Sequence, residues 1–364
     1  MKINVKSLGC DSNIADTNKV ISFLKNNNVE IVKEPENADA VIVMTCAFNK
    51  YKAKTNLDYI EQMKNLGKTV VIGGCMSNID PSVREKVDFF FGPRNMEKLE
   101  SFINSSSKIS EEDSSFIRKH KKIIRISTGC EGKCSYCAIK LANGKTLSRP
   151  IEEIHNSIKK GLLDGITNFV FTAEDLGSWG TDMGMNVSDL VDSLEQIDED
   201  FKVSLTTIHP KSFLNNPALF ESLKSDKVEK SIYMPIQSGS NKVLERMSRE
   251  YTKEDYLSIF KRLKKEIPKI RIQSDFLVGF PGEAEDDFNE TLELIKDLDF
   301  SYIQVFAYTD MERTPANKIE PKIPRDIIEK RTAKAITEFL KKHPGVEKNI
   351  VNTNVDNIHS LIET

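Results

Sequence analysis

Six cysteines are the residues of this 364-residue chain whose placement invites chemistry. Cys130, Cys134 and Cys137 fall within one short stretch, "TGCEGKCSYC", spaced four and three apart. Such an array offers three thiolates from a single loop, one fewer than the four protein ligands that close a structural zinc tetrahedron. It suits a centre with a vacancy: an iron–sulfur cubane held by three cysteines leaves one iron free to bind substrate. Zinc with a distant fourth ligand, His209 or His120, is the lesser alternative, because neither histidine has metal-ligand spacing to the cysteines. Cys10, Cys46 and Cys75 lie far apart in sequence, yet each follows a strand-like run, in "SLGCDSN", after "VIVMT" and after "VVIGG". A lone cysteine in such a place reads as a small buried apolar residue. Three at equivalent positions read as a second ligand set.

The elements that must position them follow from patterning. An amino-terminal run of strands ("INVKS", "ADAVIVMT", "TVVIGG", "VDFFFG") alternates with helical segments, one reaching about Asn28, one following Pro81 and one ending near Ile103. Alternation of this kind predicts a doubly wound, flavodoxin-like parallel sheet over 1–105. The Ser-rich, charged stretch 106–122 reads as a linker. Six further strands over 123–320 ("IIRIS", "NFVFT", "VSLTT", "SIYMP", "IRIQSDFLVG", "YIQVFAY"), again separated by helices, predict a partial (β/α)6 barrel of the TIM type. In both halves ligands are expected beyond the carboxyl ends of the strands, where the cysteines fall.

Composition limits the classes. The 39% apolar content supports large cores, and the net charge of −3 gives no general basic footprint for nucleic acid. No run of about 18 apolar residues and no signal peptide are present, so a cytoplasmic protein without membrane segments is expected. In a reducing compartment six cysteines are ligands or nucleophiles more readily than disulfides.

The C-x3-C-x2-C spacing after a strand closely resembles the radical S-adenosylmethionine (SAM) superfamily. Further stretches resemble its methylthiotransferases: "GCDSNIADT", "MTCAFNK", "GGCMS", "PIQSGSNKVLERMSREYT" and "DFLVGFPGEAEDDFNETL". Together they cover about residues 1–335. "CSYCAIKLANGKTLSRP" and "FTAEDLGSWGTD" are most similar to the type acting on threonylcarbamoyladenosine in tRNA.

The resemblance implies a transferase that converts a C–H bond into C–S–CH3 with two 4Fe–4S clusters and two SAM molecules. A cluster on Cys130, Cys134 and Cys137 would bind SAM and reduce it, releasing a 5′-deoxyadenosyl radical that removes hydrogen from the substrate. A second cluster on Cys10, Cys46 and Cys75 would carry the sulfur, and the free irons of both would face one cavity. A flavodoxin or ferredoxin would donate electrons, and a monomer is expected. Tyr136 would present main-chain groups to the SAM adenine, although aromatic packing serves it equally well. Glu174 and Asp175 would meet the methionine amino group or ribose hydroxyls, where an acidic loop pair is more often simply solvated. Gln237 and Ser238 would serve the ribose or carboxylate, and Asp275, Val278 and Gly279 the adenine wall, in a stretch that also reads as a buried strand.

The chain departs from the family pattern at Met44 (usually Asn), at Asn143 and Gly144 (usually Arg-Gly), and at Arg313 (usually Gly). Residues 321–364 read as a carboxyl-terminal helix followed by a polar tail, with no TRAM substrate-binding barrel. Of the basic runs, "RKHKK" and "KRLKK", the second reads as a solvated helix face. Trp179 would stack a base or side chain, or else pack beneath the SAM pocket. The absent barrel, the mild acidity and the lost Arg tilt the expectation slightly toward a peptide or protein substrate, with the tRNA adenosine beside the anticodon as the alternative. An iron–sulfur electron carrier is more remote, because carriers normally ligate each cluster with four cysteines.

Overall fold

The structure is a computed structural model that describes residues 1–46, 49–105, 108–109 and 115–344. Part of the expected linker and nearly all of the expected polar tail lie outside these residues. The chain divides into two compact units, residues 1–131 with 138–203, and residues 132–137 with those from 204 onward.

The first unit begins with β1 (Lys2–Ser7), α1 (Asp11–Asn26), β2 (Glu30–Ile31), β3 (Ala40–Thr45), α2 (Lys50–Asn65), β4 (Thr69–Gly74), α3 (Met76–Ile79), β5 (Phe89–Phe90) and α4 (Lys98–Phe102). The strands are all parallel, in the order β2-β1-β3-β4-β5. This is the doubly wound sheet that the alternation predicts. Every residue of the central β3 is buried, so an unbroken apolar run suits it better than an alternating one. Val20, Phe23 and Leu24 of α1 pack on Ile3, Ile42, Met44 and Val71. The strand order reverses between β1 and β3, which marks their carboxyl ends as the ligand-binding edge. At the amino end of α2, Asn49 accepts a hydrogen bond from Lys52 N at 2.9 Å, satisfying a free helix donor.

The unit continues with β6 (Ser115–Arg118), β7 (Lys121–Arg125), β8 (Ser127–Thr128), α5 (Ile139–Asn143), β9 (Leu147–Ser148), α6 (Ile151–Leu163), β10 (Asn168–Thr172), α7 (Val187–Ser193) and β11 (Lys202–Leu205). These build a sheet ordered β11-β10-β7-β6, with β6 antiparallel to β7, and a separate β8-β9 pair. Residues 115–122, which the composition assigns to a linker, thus form most of a hairpin. On its outer strand Phe116 turns inward, against Ala15 and Ile123, while Ile117 and Arg118 are exposed. A strand of four residues between Ser-rich and basic stretches is too short for pattern reading to detect.

The second unit carries α8 (Lys211–Asn215), α9 (Leu219–Ser222), β12 (Ser231–Tyr233), α10 (Asn241–Arg246), α11 (Lys253–Glu266), β13 (Arg271–Val278), α12 (Glu285–Asp297), β14 (Tyr302–Ala307) and α13 (Arg325–Lys342). β12, β13 and β14 form a parallel sheet, and Thr207 bridges Tyr233 beside it. α11 starts at a capping box between Thr252 and Asp255. Along β13, Ile272, Ser274, Phe276 and Val278 are buried while Gln273, Asp275 and Leu277 are only half-buried. The six expected strands β7, β10, β11, β12, β13 and β14 all form, three in each of two sheets, and the chain is α/β as predicted.

Candidate active site

Cys10, Cys46 and Cys75 follow β1, β3 and β4 at one edge of the first sheet. Backbone approach at that edge is close. Gly74 has φ +86, and a Cβ there would lie 2.4 Å from Thr45 O, so only glycine lets the turn into Cys75 pass beside the strand end carrying Cys46. Asn56 Oδ1 accepts a hydrogen bond from Cys46 N at 3.0 Å. Asn13 Nδ2 donates to Thr45 O at 3.1 Å, while Asn13 Oδ1 accepts from Ser7 Oγ at 2.8 Å.

The three thiols sense one another. Burial, then Cys46 and Cys10, push the Cys75 thiol well above its ordinary value. Atoms packed round its sulfur, then Cys46, also raise Cys10. The protein alone therefore disfavours thiolates here, and a cationic iron centre would supply the missing compensation. Among the described residues no three Cys, His, Asp or Glu side chains converge as a site for one metal ion. A cluster binds each thiolate to a different iron, so three thiols set at one sheet edge, Cys46 buried, Cys75 half-buried and Cys10 open to solvent, fit it as a donor set. His209 is occupied otherwise: its Nδ1 accepts from Lys211 N at 3.2 Å, and burial with Arg249 and Lys211 holds its pKa down at about 2.

Glu174, expected to meet SAM, is the hub of a buried knot. It accepts from Arg125 Nη2 at 2.6 Å, from Gly129 N at 2.9 Å and from Asn143 Nδ2 at 2.8 Å. Arg125 also pairs with Asp16 of α1, and burial is outweighed by the two carboxylates, which raise the guanidinium's pKa. Asn143 Oδ1 faces Cys75 Sγ at 4.0 Å. Arg94 lies against Gly144. Asp175 is also committed, capping its own turn through Gly177 N and Ser178 Oγ at 3.0 and 2.7 Å. An acidic pair in a loop reads as solvated or ligand-facing because sequence does not show which donors fold back onto it.

Cys130, Cys134 and Cys137 lie on one loop. Cys130 N donates to Gly144 O at 3.2 Å and Cys137 N to Cys134 O at 3.2 Å. Ser135 anchors the loop through its N to Met247 O and its Oγ to Arg246 O. Tyr136 packs against Val243, Met247, Phe280 and Tyr308, so the aromatic-packing reading describes its ring. Arg249, which the sequence reading did not single out, places Nη1 3.2 Å from Cys134 Sγ.

The remaining expected SAM contacts are largely engaged in the fold. Gln237 sits at φ +77, with its N bonded to Asp275 O and its O accepting from Leu277 N. Ser238 is fully buried and its Oγ meets Thr291 Oγ1 at 3.3 Å. Val278 is buried on the Phe276 side of β13, and its carbonyl accepts from Tyr308 N. Gly279 N donates to Glu283 Oε2 at 2.9 Å. Asp275 alone belongs to the half-buried face, hydrogen-bonded to Tyr233, which in turn accepts from Gln304. Burial pushes Asp275 up to about 7 against the opposing effects of Tyr233 and Arg249. Trp179 is fully buried and donates to Arg149 O at 3.0 Å, which rules out stacking on a substrate. Lys264 and Arg262 of "KRLKK" pair with Asp299 and Glu266, as a solvated helix face should. Among the described residues no helix is long and apolar enough to cross a membrane.

Comparison with known proteins agrees with this geometry. Residues 124–295 match the Radical SAM superfamily and residues 2–92 match "Uncharacterized protein family UPF0004". A radical S-adenosylmethionine methyltransferase, TsrM, from Kitasatospora setae shares the fold, with a TM-score of 0.65 over 87% of this chain and 75% of that one at 13% identity. The fold is thus that of a radical SAM enzyme. The tRNA-2-methylthio-N(6)-dimethylallyladenosine synthase of Clostridium botulinum (strain Loch Maree / Type A3) is 32% identical, covering 90% of this chain and 79% of its own length. The ribosomal protein uS12 methylthiotransferase RimO of Carboxydothermus hydrogenoformans is 31% identical over 92% and 81%. A probable threonylcarbamoyladenosine tRNA methylthiotransferase of Methanocaldococcus jannaschii is 32% identical over 94% and 82%. The chain belongs to the radical SAM methylthiotransferases, transferases whose family works with two 4Fe–4S clusters and SAM.

Proposed function

We propose that the protein methylthiolates an adenosine of tRNA. The observation that carries this reading is the similarity, over nine-tenths of the chain, to an enzyme named for a tRNA adenosine. The archaeal relative of equal identity is named for tRNA as well. The slight expectation of a peptide substrate finds its counterpart in the ribosomal-protein enzyme. At the exposed tip of the β6-β7 hairpin Lys119 offers a cation suited to a phosphate backbone, beside Arg118, which is paired with Asp11 at 2.7 Å.

On this reading Cys130, Cys134 and Cys137 hold the SAM-binding cluster, and Cys10, Cys46 and Cys75 the auxiliary one. When bound, the clusters supply the electron that cleaves SAM and the sulfur destined for the substrate. The chain's own residues hold the ligands in place. Asn56 fixes the Cys46 main chain, Ser135 pins the SAM-cluster loop, and the Arg125–Glu174 pair ties that loop's Gly129 to the strand before it. A flavodoxin or ferredoxin would reduce the enzyme.

Mass spectrometry tests the substrate. Nucleosides of tRNA from cells carrying the enzyme should gain one CH2S unit on an adenosine, absent without it. Unchanged tRNA with a gain on a ribosomal-protein peptide would overturn the proposal. Cys134→Ala should abolish SAM cleavage, while Cys46→Ala should keep cleavage and lose sulfur transfer.

A further inference from the structure

Arg249 is 8% exposed, and each of its nitrogens is directed. Nε donates to Tyr251 Oη at 2.8 Å and Nη2 to Pro235 O at 2.8 Å. Nη1 points at Cys134 Sγ, 3.2 Å away, with Tyr136 Oη at 3.4 Å. The setting is rigid. Ser248, at φ +56, turns the chain after α10, and Arg249 N is bonded to Leu244 O at 2.9 Å. Tyr251 is itself fixed through its hydroxyl to Ile236 O at 2.8 Å.

None of these acceptors is a carboxylate: Asp275 feels the guanidinium's charge but takes no hydrogen bond from it, and a guanidinium hydrogen-bonded only to neutral oxygens is costly to bury unless an anion faces it directly. A neutral thiol is a weak acceptor and does not fill that need. A thiolate bound to iron does. Hydrogen bonds to ligand sulfurs stabilise the more negative, reduced state of an iron–sulfur cluster and shift its potential upward.

Resting on the cluster assignment proposed above, we propose that Arg249 is a positioning residue. It acts as counter-cation to the Cys134 thiolate, and its N–H···S bond raises the reduction potential of the SAM-binding cluster. Its planar fork, held at two corners by Tyr251 and Pro235, sets the direction of the third.

The test is a redox titration of the anaerobically reconstituted full chain, following the electron paramagnetic resonance signal that changes on adding SAM. Arg249→Gln should load iron as the parent does and shift the reduction equilibrium toward the oxidised state by tenfold or more. For one electron, tenfold corresponds to about 59 mV. Arg249→Lys should recover part of the shift, and Tyr251→Phe, which frees one corner of the fork, should show a smaller one. If Arg249→Gln fails to fold, those two variants decide the matter.

An unchanged potential in iron-loaded variants overturns the proposal. Weaker SAM binding with an unchanged potential also overturns it, and assigns the guanidinium to SAM. Cys134→Ala separates the two readings: a SAM-sensitive signal that survives it refutes the cluster assignment itself, whereas its loss beside unmoved Arg249 variants refutes only the role of Arg249.

Discussion

At Asp275 a carboxyl is held between burial and hydrogen bonding, and burial wins, pushing its pKa to about 7. The unfolded value is near 3.9. The folded state therefore binds the proton more tightly, so the stabilisation is fully present below about pH 4 and is lost as pH rises through about 7. Asp275→Asn cannot titrate. Its stability relative to the parent should improve between pH 5 and pH 8, by on the order of 1–2 kcal/mol after allowing for partial exposure. Anaerobic melts at the two pH values measure this, and a constant difference would show that the carboxyl does not titrate there. Two family departures also become legible at this scale. Met44 packs in the sheet core, and Arg313 sits at φ +68, a conformation natural to the family's glycine.

Between elements, the carboxyl end of β13 docks on α13 through Gly279. Its φ is +75, and a Cβ would lie 2.4 Å from Ile328 Cγ1. Gly279→Ala should lower stability by about 2 kcal/mol or more, combining left-handed strain with overpacking. Adding Ile328→Ala should relieve the overpacking and leave the strain, so thermal melts of single and double variants separate the two. A double variant no better than the sum of its parts would refute this contact. The neighbouring Glu283, 1% exposed at its side chain and paired with Arg331 at 2.8 Å, anchors the same helix.

Across the whole first unit, Arg125 joins α1 of the doubly wound sheet to the loop after β10, through Asp16 and Glu174. All three side chains are 7% exposed or less. Removing the cation strands two buried carboxylates, so Arg125→Met should cost about 3–5 kcal/mol. Adding Asp16→Asn and Glu174→Gln should return part of that loss. A melting temperature unchanged in Arg125→Met would mean that the network does not secure the unit.

The amino-acid sequence by itself determined the α/β class, the six core strands of the second half and the doubly wound sheet, with a cysteine after each of β1, β3 and β4. All of these are local: they rest on runs of apolar residues and on spacing along the chain, which short-range periodicity records. Edge strands such as β6, four residues long, are too short for that reading. Tertiary structure alone decided which polar groups are free. Glu174, Asp175 and Ser238 look like ligands in sequence, and folding supplies them with internal partners from residues up to fifty or so positions away. Arg249 lies 115 residues from Cys134, and Trp179 owes its burial to distant packing. Hydrogen-bond partnership and desolvation are set by the neighbours that folding brings together, and no pattern along the chain encodes them.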